Sequence, residues 1–337
     1  MIGFIINPVS GNGRGKKVWI RLESLLKTAD RRYHAFFTKG PGDAAHLAKK
    51  MFGTGQYQAI VAVGGDGTVN ETVSGLWEAL SIKSEASQPK KPCSFGCIPA
   101  GSGNDFARGH GIPAQTDQAF AVLLNALDLE HPPKAMDLLR IGQRIAVNSI
   151  SCGFDGQIAL TTNNAIYKKG FNLLGLGKLA YVLSVIRVLL TYQPRSLVLR
   201  VDDQELALEN VWLVAAGNIP YYGGGMKICP SAVPDDGLVS LCVVHGINRF
   251  ELLRFFPLVF SGSHERHRAV HMLSGKIVEI KPSSPLAIQA DGEPVITDHI
   301  LIEVLPAVLP VLKPTSAANA GKRAIDAMDE TNRASGE

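Results

Sequence analysis

The stretch Gly64-Gly65-Asp66-Gly67-Thr68-Val69-Asn70-Glu71 carries the residue types most suited to chemistry in this chain. Ahead of it runs Ala59-Ile60-Val61-Ala62-Val63, apolar throughout and rich in β-branched residues, which reads as a strand buried on both faces. Beyond it, from Asn70 to Leu80, apolar residues recur every three to four positions, the period of one helix face. Glycines at a strand-to-helix join let main-chain N–H groups approach an anion closely, and the helix start adds its own unpaired donors. A lone Asp-Gly pair would read as a tight turn. Three glycines with Asp66 and Thr68 in the same join point to phosphate.

Further segments complete a pattern. Asn7-Pro8-Val9-Ser10-Gly11 lies upstream, and Pro99-Ala100-Gly101-Ser102-Gly103-Asn104-Asp105-Phe106-Ala107-Arg108 lies downstream. Pro234-Asp235-Asp236-Gly237-Leu238 and Asp291-Gly292-Glu293 come late in the chain. Taken in order, these five motifs resemble the catalytic domain shared by diacylglycerol kinases, sphingosine and ceramide kinases and the bacterial lipid kinases. The resemblance spans about residues 2–312.

Phosphoryl transfer from a nucleotide needs a cradle for the phosphates, a divalent cation and a group that deprotonates the acceptor hydroxyl. The resemblance implies ATP and Mg²⁺ as cofactors. It implies a cradle from Gly64, Gly65, Asp66, Gly67, Thr68, Val69 and Asn70, joined by Asn7, Ser10 and Gly11. Thr38 and Ser102 match family positions that touch the nucleotide; by residue type alone they suit a helix cap and a turn equally well. Asp66 is expected to hold the Mg²⁺, because a hard cation prefers carboxylate oxygen. Asn104 and Asp105 could complete that site, although Asn-Asp ahead of Phe106 is also a good helix N-cap.

In the family the segment matching Asp291-Gly292-Glu293 supplies the general base, so Asp291 or Glu293 would take the proton from the lipid hydroxyl. Asp291 is favoured, since a first-position Asp at a strand end projects into the cleft while Glu293, just before Pro294, is placed to orient it. Read without the resemblance, the three residues make an ordinary hairpin turn. In bacterial members the segment matching Pro234–Leu238 binds a second, structural Mg²⁺. That carries over to the Asp236 side chain and the carbonyls of Val233 and Leu238, with an Asp-Gly turn as the plain alternative.

Three look-alike motifs lead elsewhere. Gly11-Asn12-Gly13-Arg14-Gly15-Lys16-Lys17 is not a P-loop, because Lys stands where Ser or Thr must bind Mg²⁺; it reads as a flexible basic loop. Gly175-Leu176-Gly177-Lys178-Leu179-Ala180 lacks the preceding strand of a dinucleotide fingerprint. His264-Glu265-Arg266-His267 has the wrong spacing for a zinc-binding pair.

The elements that must position these residues fall into two textures. Over residues 1–137 strand and helix alternate: strands at 2–6, 33–38, 59–63 and 93–98, helices near 15–27, 43–52, 70–80 and 116–127. Such alternation predicts a Rossmann-like parallel α/β domain with ligands at the carboxyl ends of its strands. Residues 138–298 carry short strands paired by tight turns, as at Gly142-Gln143 and Asp202-Asp203, which predict an antiparallel β-sandwich. Helical inserts are expected near Phe171–Leu190 and Arg249–Phe260, both with basic neighbours; each reads as a core helix or as a lipid-facing surface with a basic rim. Family resemblance implies that residues 299–312 return to the first domain. A disordered tail is expected over 313–337.

A hydrophobic content of 46% against 19% charged residues, over 337 residues, suits a globular protein with real cores. A net charge of +4 is too mild and scattered for nucleic acid but suits visits to an anionic membrane surface. Five cysteines without a C-x-x-C pair fit a reducing cytoplasm. No signal peptide is indicated, and no run of apolar residues is long enough to span a bilayer. The expectation is a cytoplasmic, peripherally membrane-associated kinase that phosphorylates a lipid alcohol, most simply diacylglycerol. Sphingoid base, ceramide or phosphatidylglycerol are alternative acceptors, and a non-catalytic nucleotide-binding module is the rival from another class. A homodimer is left open.

Overall fold

The computed structural model describes residues 1–82, 93–129, 133–164, 187–297 and 299–314. The polar connection expected over Ser81–Pro92 starts as the last two residues of a helix, Ser81 and Ile82, and its remainder lies outside them, as do most of the expected Phe171–Leu190 helix and the tail from residue 315. Two compact units emerge, Met1–Ala135 with Leu309 onward, and Met136–Val308.

The first unit is a parallel sheet in the order β2-β1-β3-β4, with β1 at Ile2–Ile6, β2 at Tyr33–Phe37, β3 at Ala59–Gly64 and β4 at Ser94–Pro99. Its inner strands are buried along their whole length, as their continuous apolar sequences require. Helices α1 (Ser10–Thr28), α2 (Asp43–Thr54), α3 (Asp66–Ile82), α4 (Asp105–Gly109) and α5 (Thr116–Leu127) connect and cover the strands. Strand order reverses between β1 and β3, which makes the carboxyl ends of those two strands a topological switch point, where open α/β sheets bind ligands.

The second unit is one curled antiparallel sheet in the order β14-β13-β7-β9-β8-β12-β15-β5-β6, with β10 joining β9 and β11. Its strands are β5 (Ala135–Ile141), β6 (Arg144–Ala146), β7 (Ser149–Gly153), β8 (Arg195–Val201), β9 (Gln204–Gly217), β10 (Val239–His245), β11 (Val270–Gly275), β12 (Ile277–Pro282), β13 (Ile288–Ala290), β14 (Glu293–Val295) and β15 (Ile300–Pro310). Alternate residues feed two cores: Leu241 and Val243 pack on one face, Cys242 and Val244 on the other. The second core is closed by α6 (Phe154–Asn164), α7 (Arg249–Phe255) and α8 (Leu258–Ser261).

Several elements differ from the sequence pattern for local reasons. The strand expected after the Gly142-Gln143 turn is divided in two at Val147-Asn148, whose amides bond the Asp291 carboxylate. The helix expected over Arg249–Phe260 divides at Pro257, which lacks an N–H to continue it. Residues 204–208 and 211–216 join into one strand through an irregularity at Asn210, which adopts φ 50°. Most of 299–312 stays in the second unit as β15, paired with β12; the chain re-enters the first unit at Leu309, where Val311 bridges to Phe95.

Candidate functional site

A cleft of about 350 Å³ opens at the switch point of the first unit. It is lined by Asn7, Val9 and Ser10 after β1, Thr38 to Pro41 after β2 with Ala44, and Gly65, Gly67, Thr68 and Glu71 at the start of α3. Asn7, Ser10, Thr38, Gly65, Gly67 and Thr68 of the sequence candidates are thus brought together. Val9, Lys39, Gly40, Pro41, Ala44 and Glu71 were not anticipated; of these Val9, inside the Asn7–Gly11 motif, and Glu71, inside the glycine motif, carried a signal.

Local hydrogen bonds fix this wall. Asn7 donates from Nδ2 to Thr68 Oγ1 at 3.1 Å and accepts from the Val9 amide at 3.3 Å, so one side chain ties the β1 turn to α3. Gly65 accepts from the Val69 amide at 3.1 Å, which makes it the cap residue just ahead of α3. The amides of Asp66, Gly67 and Thr68 then have no intrahelical carbonyl to reach, and the positive end of the helix lies at the cleft. Thr38 extends the sheet by donating its amide to Ile6 at 2.8 Å and caps no helix; α2 starts instead from Gly42.

Two of the three glycines, Gly64 and Gly65, are required for a reason the sequence did not reveal. None of Gly64, Gly65 and Gly67 lies in the left-handed region. A Cβ on Gly64 would overlap Thr68, and one on Gly65 would stand 3.0 Å from Gly101, whereas one on Gly67 would meet no atom. Gly67 therefore leaves open space at the cleft, while Gly64 and Gly65 allow close packing. Gly11, Asn12 and Gly13 do have positive φ, and a regular helix follows from Arg14, so Lys16 and Lys17 belong to α1 rather than to a basic loop.

The remaining candidates support the wall from behind. Asp66 is half-buried, and its Oδ1 accepts from the Phe106 amide at 2.9 Å, capping α4 from another segment. Asn104, with φ 55°, closes the Pro99–Asn104 turn by bonding Gly101 through both Oδ1 (2.9 Å) and Nδ2 (3.0 Å) and caps nothing. Asp105 is buried and bonded to Arg108 at 2.5 Å. Ser102 is exposed on the same turn, and Asn70 is half-buried on α3. Val69 is buried with its amide bonded to Gly65, so it offers a ligand neither side chain nor N–H.

In the second unit the Asp291 carboxylate receives three main-chain amides: Val147 at Oδ2 (2.7 Å), and Asn148 and Ser149 at Oδ1 (both 2.9 Å). Its own amide bonds Ser149, and its φ is 48°. An ionised carboxylate has roughly four acceptor sites, most of which are used here. Asp291 thus organises the turn, while Glu293 on the same turn is exposed. The preference for Asp291 as base does not follow from this geometry.

Behind the turn, Gln289 accepts from the Gly292 amide at 2.6 Å and donates to Ser151 (2.7 Å) and Asp155 (3.0 Å). Burial pushes the Asp155 carboxyl above the usual range, against the pull of its bonds from Ser151 and Gln289. None of these three residues was singled out in the sequence, because they carry no motif.

Asp236 is exposed and accepts from the Leu238 amide at 2.9 Å, the Asx turn that its sequence allows. Val233 is exposed and Leu238 half-buried beside it. The turn is anchored by buried Asp137, which accepts from Gly237 at 2.7 Å and from Ala307 at 2.7 Å. Among the described residues no three His, Cys, Asp or Glu side chains gather in reach of one metal ion. The cysteines are free, and burial pushes Cys93, Cys152 and Cys229 up to about 12, so they are protonated core residues rather than nucleophiles.

Residues 1–140 match the diacylglycerol kinase catalytic domain, and residues 148–313 the YegS C-terminal NAD kinase beta sandwich-like domain. A probable lipid kinase YegS-like of Chromohalobacter salexigens is 32% identical over 277 residues, 82% of each chain. A diacylglycerol kinase of Mycobacterium tuberculosis is 29% identical over 312 residues, covering 92% of this chain and 94% of that one. A crystal structure of a diacylglycerol kinase from Bacillus anthracis shares the fold, with TM-score 0.67 over 94% of this chain and 97% of that one at 20% identity. This chain therefore belongs to the lipid kinase family that joins a diacylglycerol kinase catalytic domain to a YegS-type β-sandwich domain, and it is a kinase.

Proposed function

We propose that the chain is an ATP-dependent kinase of the cytoplasm that works at the membrane surface and moves the γ-phosphate of ATP to diacylglycerol, giving phosphatidic acid. The observation that carries the nucleotide half is the switch-point cleft, where the start of α3 presents free amides beside Asn7, Ser10, Thr38 and Thr68. The open space at Gly67 suits a phosphate. The lipid half is supported by the relatives' names and by the second unit's apolar core. Among the described residues no helix is long and apolar enough to cross a membrane, which fits a peripheral enzyme.

ATP with Mg²⁺ would supply the phosphoryl group and neutralise its developing charge. The α3 amides, with Asn7, Ser10, Gly11, Thr38, Ser102 and Asn104, would bind and orient the phosphates. Asp66 Oδ2, which has no hydrogen bond among the described residues, is the carboxylate oxygen left for Mg²⁺; phosphate and water would supply the other ligands. Glu293 would hold the proton of the acceptor hydroxyl, with Asp291 fixing the turn that presents it. Asp236 and the carbonyls of Val233 and Leu238 would hold a second, structural Mg²⁺, a hard cation that takes oxygen ligands.

Another lipid alcohol is the alternative acceptor, since the YegS-like relative's name specifies no lipid. Radiolabelled ATP with a panel of lipid alcohols in mixed micelles tests both readings. Transfer to diacylglycerol above all others is expected; transfer to another lipid replaces the substrate, and transfer to none refutes the reading.

A further inference from the structure

Helices α7 and α8 are apolar on two sides. Leu252, Phe255 and Val259 turn inward into the second core. Phe250 and Phe260 turn outward, 84% and 56% exposed, joined by exposed Leu253 and Leu258. A helix at an ordinary protein surface keeps one apolar stripe and a polar remainder. Large aromatic and aliphatic side chains clustered in water mark a surface with a partner.

The charges around the patch say which partner. Arg254, Arg266 and Arg268 are exposed around it. Across residues 249–268 the only acids are Glu251 and Glu265, against four arginines. Glu251 completes the capping box with Asn248 and pairs with Arg268 at 2.9 Å, and half-buried Arg249 bonds the Tyr192 carbonyl at 3.0 Å, so the exposed charges left at the rim are Arg254 and Arg266 against Glu265. A second copy docked about a two-fold axis would bring this arginine rim against itself. An anionic bilayer satisfies both features, taking the aromatic side chains into its interface and the arginines onto its phosphates.

The inner face adds continuity. Leu252, Phe255, Phe256 and Val259 also wall an apolar cavity that reaches Trp212 and Ile228. The elements that would touch the bilayer therefore roof an apolar space inside the same unit. From this we propose that the α7–α8 segment is the membrane-docking face of the enzyme, inserting Phe250, Leu253, Leu258 and Phe260 among anionic lipids. The inference rests on the lipid-kinase reading for its purpose, but not for its test.

The test uses the full chain in vesicle flotation without nucleotide, with phosphatidylcholine vesicles and with equal mixtures of phosphatidylcholine and phosphatidylglycerol. Wild type should float with the mixed vesicles. Phe250→Asp with Leu253→Asp should weaken that binding at least roughly tenfold, as expected when buried apolar area is replaced by charge. Arg254→Ala with Arg266→Ala should abolish the preference for the anionic mixture and its salt dependence. Melting temperatures equal to wild type show that both pairs fold, and turnover of a short-chain diacylglycerol dissolved as monomer should be unchanged. Binding by the aspartate pair equal to wild type would overturn the proposal, as would a wild type that floats with neither vesicle. Conversion of a dimer to a monomer by the aspartate pair, seen by gel filtration, would assign the patch to a second copy instead. Expected flotation without any lipid phosphorylation would remove the substrate reading and leave the docking face standing.

Discussion

Gly65 and Gly101 pack backbone against backbone. A Cβ on Gly65 would stand 3.0 Å from the Gly101 Cα, and one on Gly101 would overlap Gly65 itself. The two glycine-bearing turns after β3 and β4 thus touch, and the turn that starts α3 is braced by its neighbour. Asn104 holds the second turn shut through both of its side-chain atoms.

This contact separates two kinds of glycine. Gly101→Ala should lower stability by about 1–3 kcal/mol, the usual cost of forcing a methyl into a packed site. Gly67→Ala meets no protein atom and should leave the melting temperature unchanged. Because its new methyl would stand at the cleft, it should still weaken ATP binding. Thermal melts and calorimetry with ATP check the pair; a Gly67→Ala variant with wild-type affinity would place the phosphates elsewhere.

Asp66 has two separable duties. Its Oδ1 caps α4 through the Phe106 amide, so Asp66→Ala should lower stability by about 1 kcal/mol, the scale of a lost cap. Asp66→Asn keeps a carbonyl oxygen for that amide but removes the charge proposed to hold Mg²⁺. It should melt like wild type and lose activity, with the loss partly offset at high Mg²⁺. An active Asp66→Asn at ordinary Mg²⁺ would remove Asp66 from the metal site.

How much of this was legible in the sequence depends on range. The apolar run Ala59–Val63 and the glycines after it specify a buried strand and a helix start from neighbouring residues alone, and the cleft forms where they do. Gly65 opposite Gly101, and Asp66 bonded to Phe106, are contacts between distant segments that no local pattern encodes. The same holds for Asp291, whose turn is readable while its grip on Val147, Asn148 and Ser149 is not. Pro257 could have been read as the break between α7 and α8, since proline has no amide to offer a helix.

The carboxylates of the Asp291–Glu293 turn should separate by stability. Asp291→Asn places an amide donor against main-chain donors and should cost about 1–3 kcal/mol, the penalty of unmatched buried polar groups. Glu293→Gln alters an exposed side chain and should leave melting unchanged. If Glu293 is the base, that variant should lose kcat by roughly a hundredfold or more, the ordinary scale of general-base catalysis, while binding ATP normally. A fully active Glu293→Gln would shift the role to Asp291.

The Asp236 turn offers a metal-removal test. Asp137 anchors it from beneath through Gly237, so Asp236→Ala should still fold. Wild type should melt higher as Mg²⁺ is added and fall back with EDTA, because an ion that binds only the folded state stabilises it by mass action. Asp236→Ala should not respond. Equal responses in the two proteins would rule out a metal at this turn.

Asp155 gives a prediction in pH. Burial raises its carboxyl above the ordinary 3.8, outweighing the bonds from Ser151 at 2.5 Å and Gln289 at 3.0 Å. A raised acid binds its proton more tightly in the folded chain than in the unfolded one. Its contribution to stability is therefore fully present below pH 3.8, the unfolded value, and is lost as pH climbs through the folded value. Asp155→Asn keeps the size of the side chain and an oxygen for Ser151, without a charge that must be buried. The variant should therefore be more stable than wild type at neutral pH, with the advantage shrinking on acidification toward pH 3.8. Subtracting the two urea-unfolding profiles isolates this group from every other titrating side chain. A variant less stable than wild type by the same margin at every pH would mean that the Asp155 charge costs nothing where it sits.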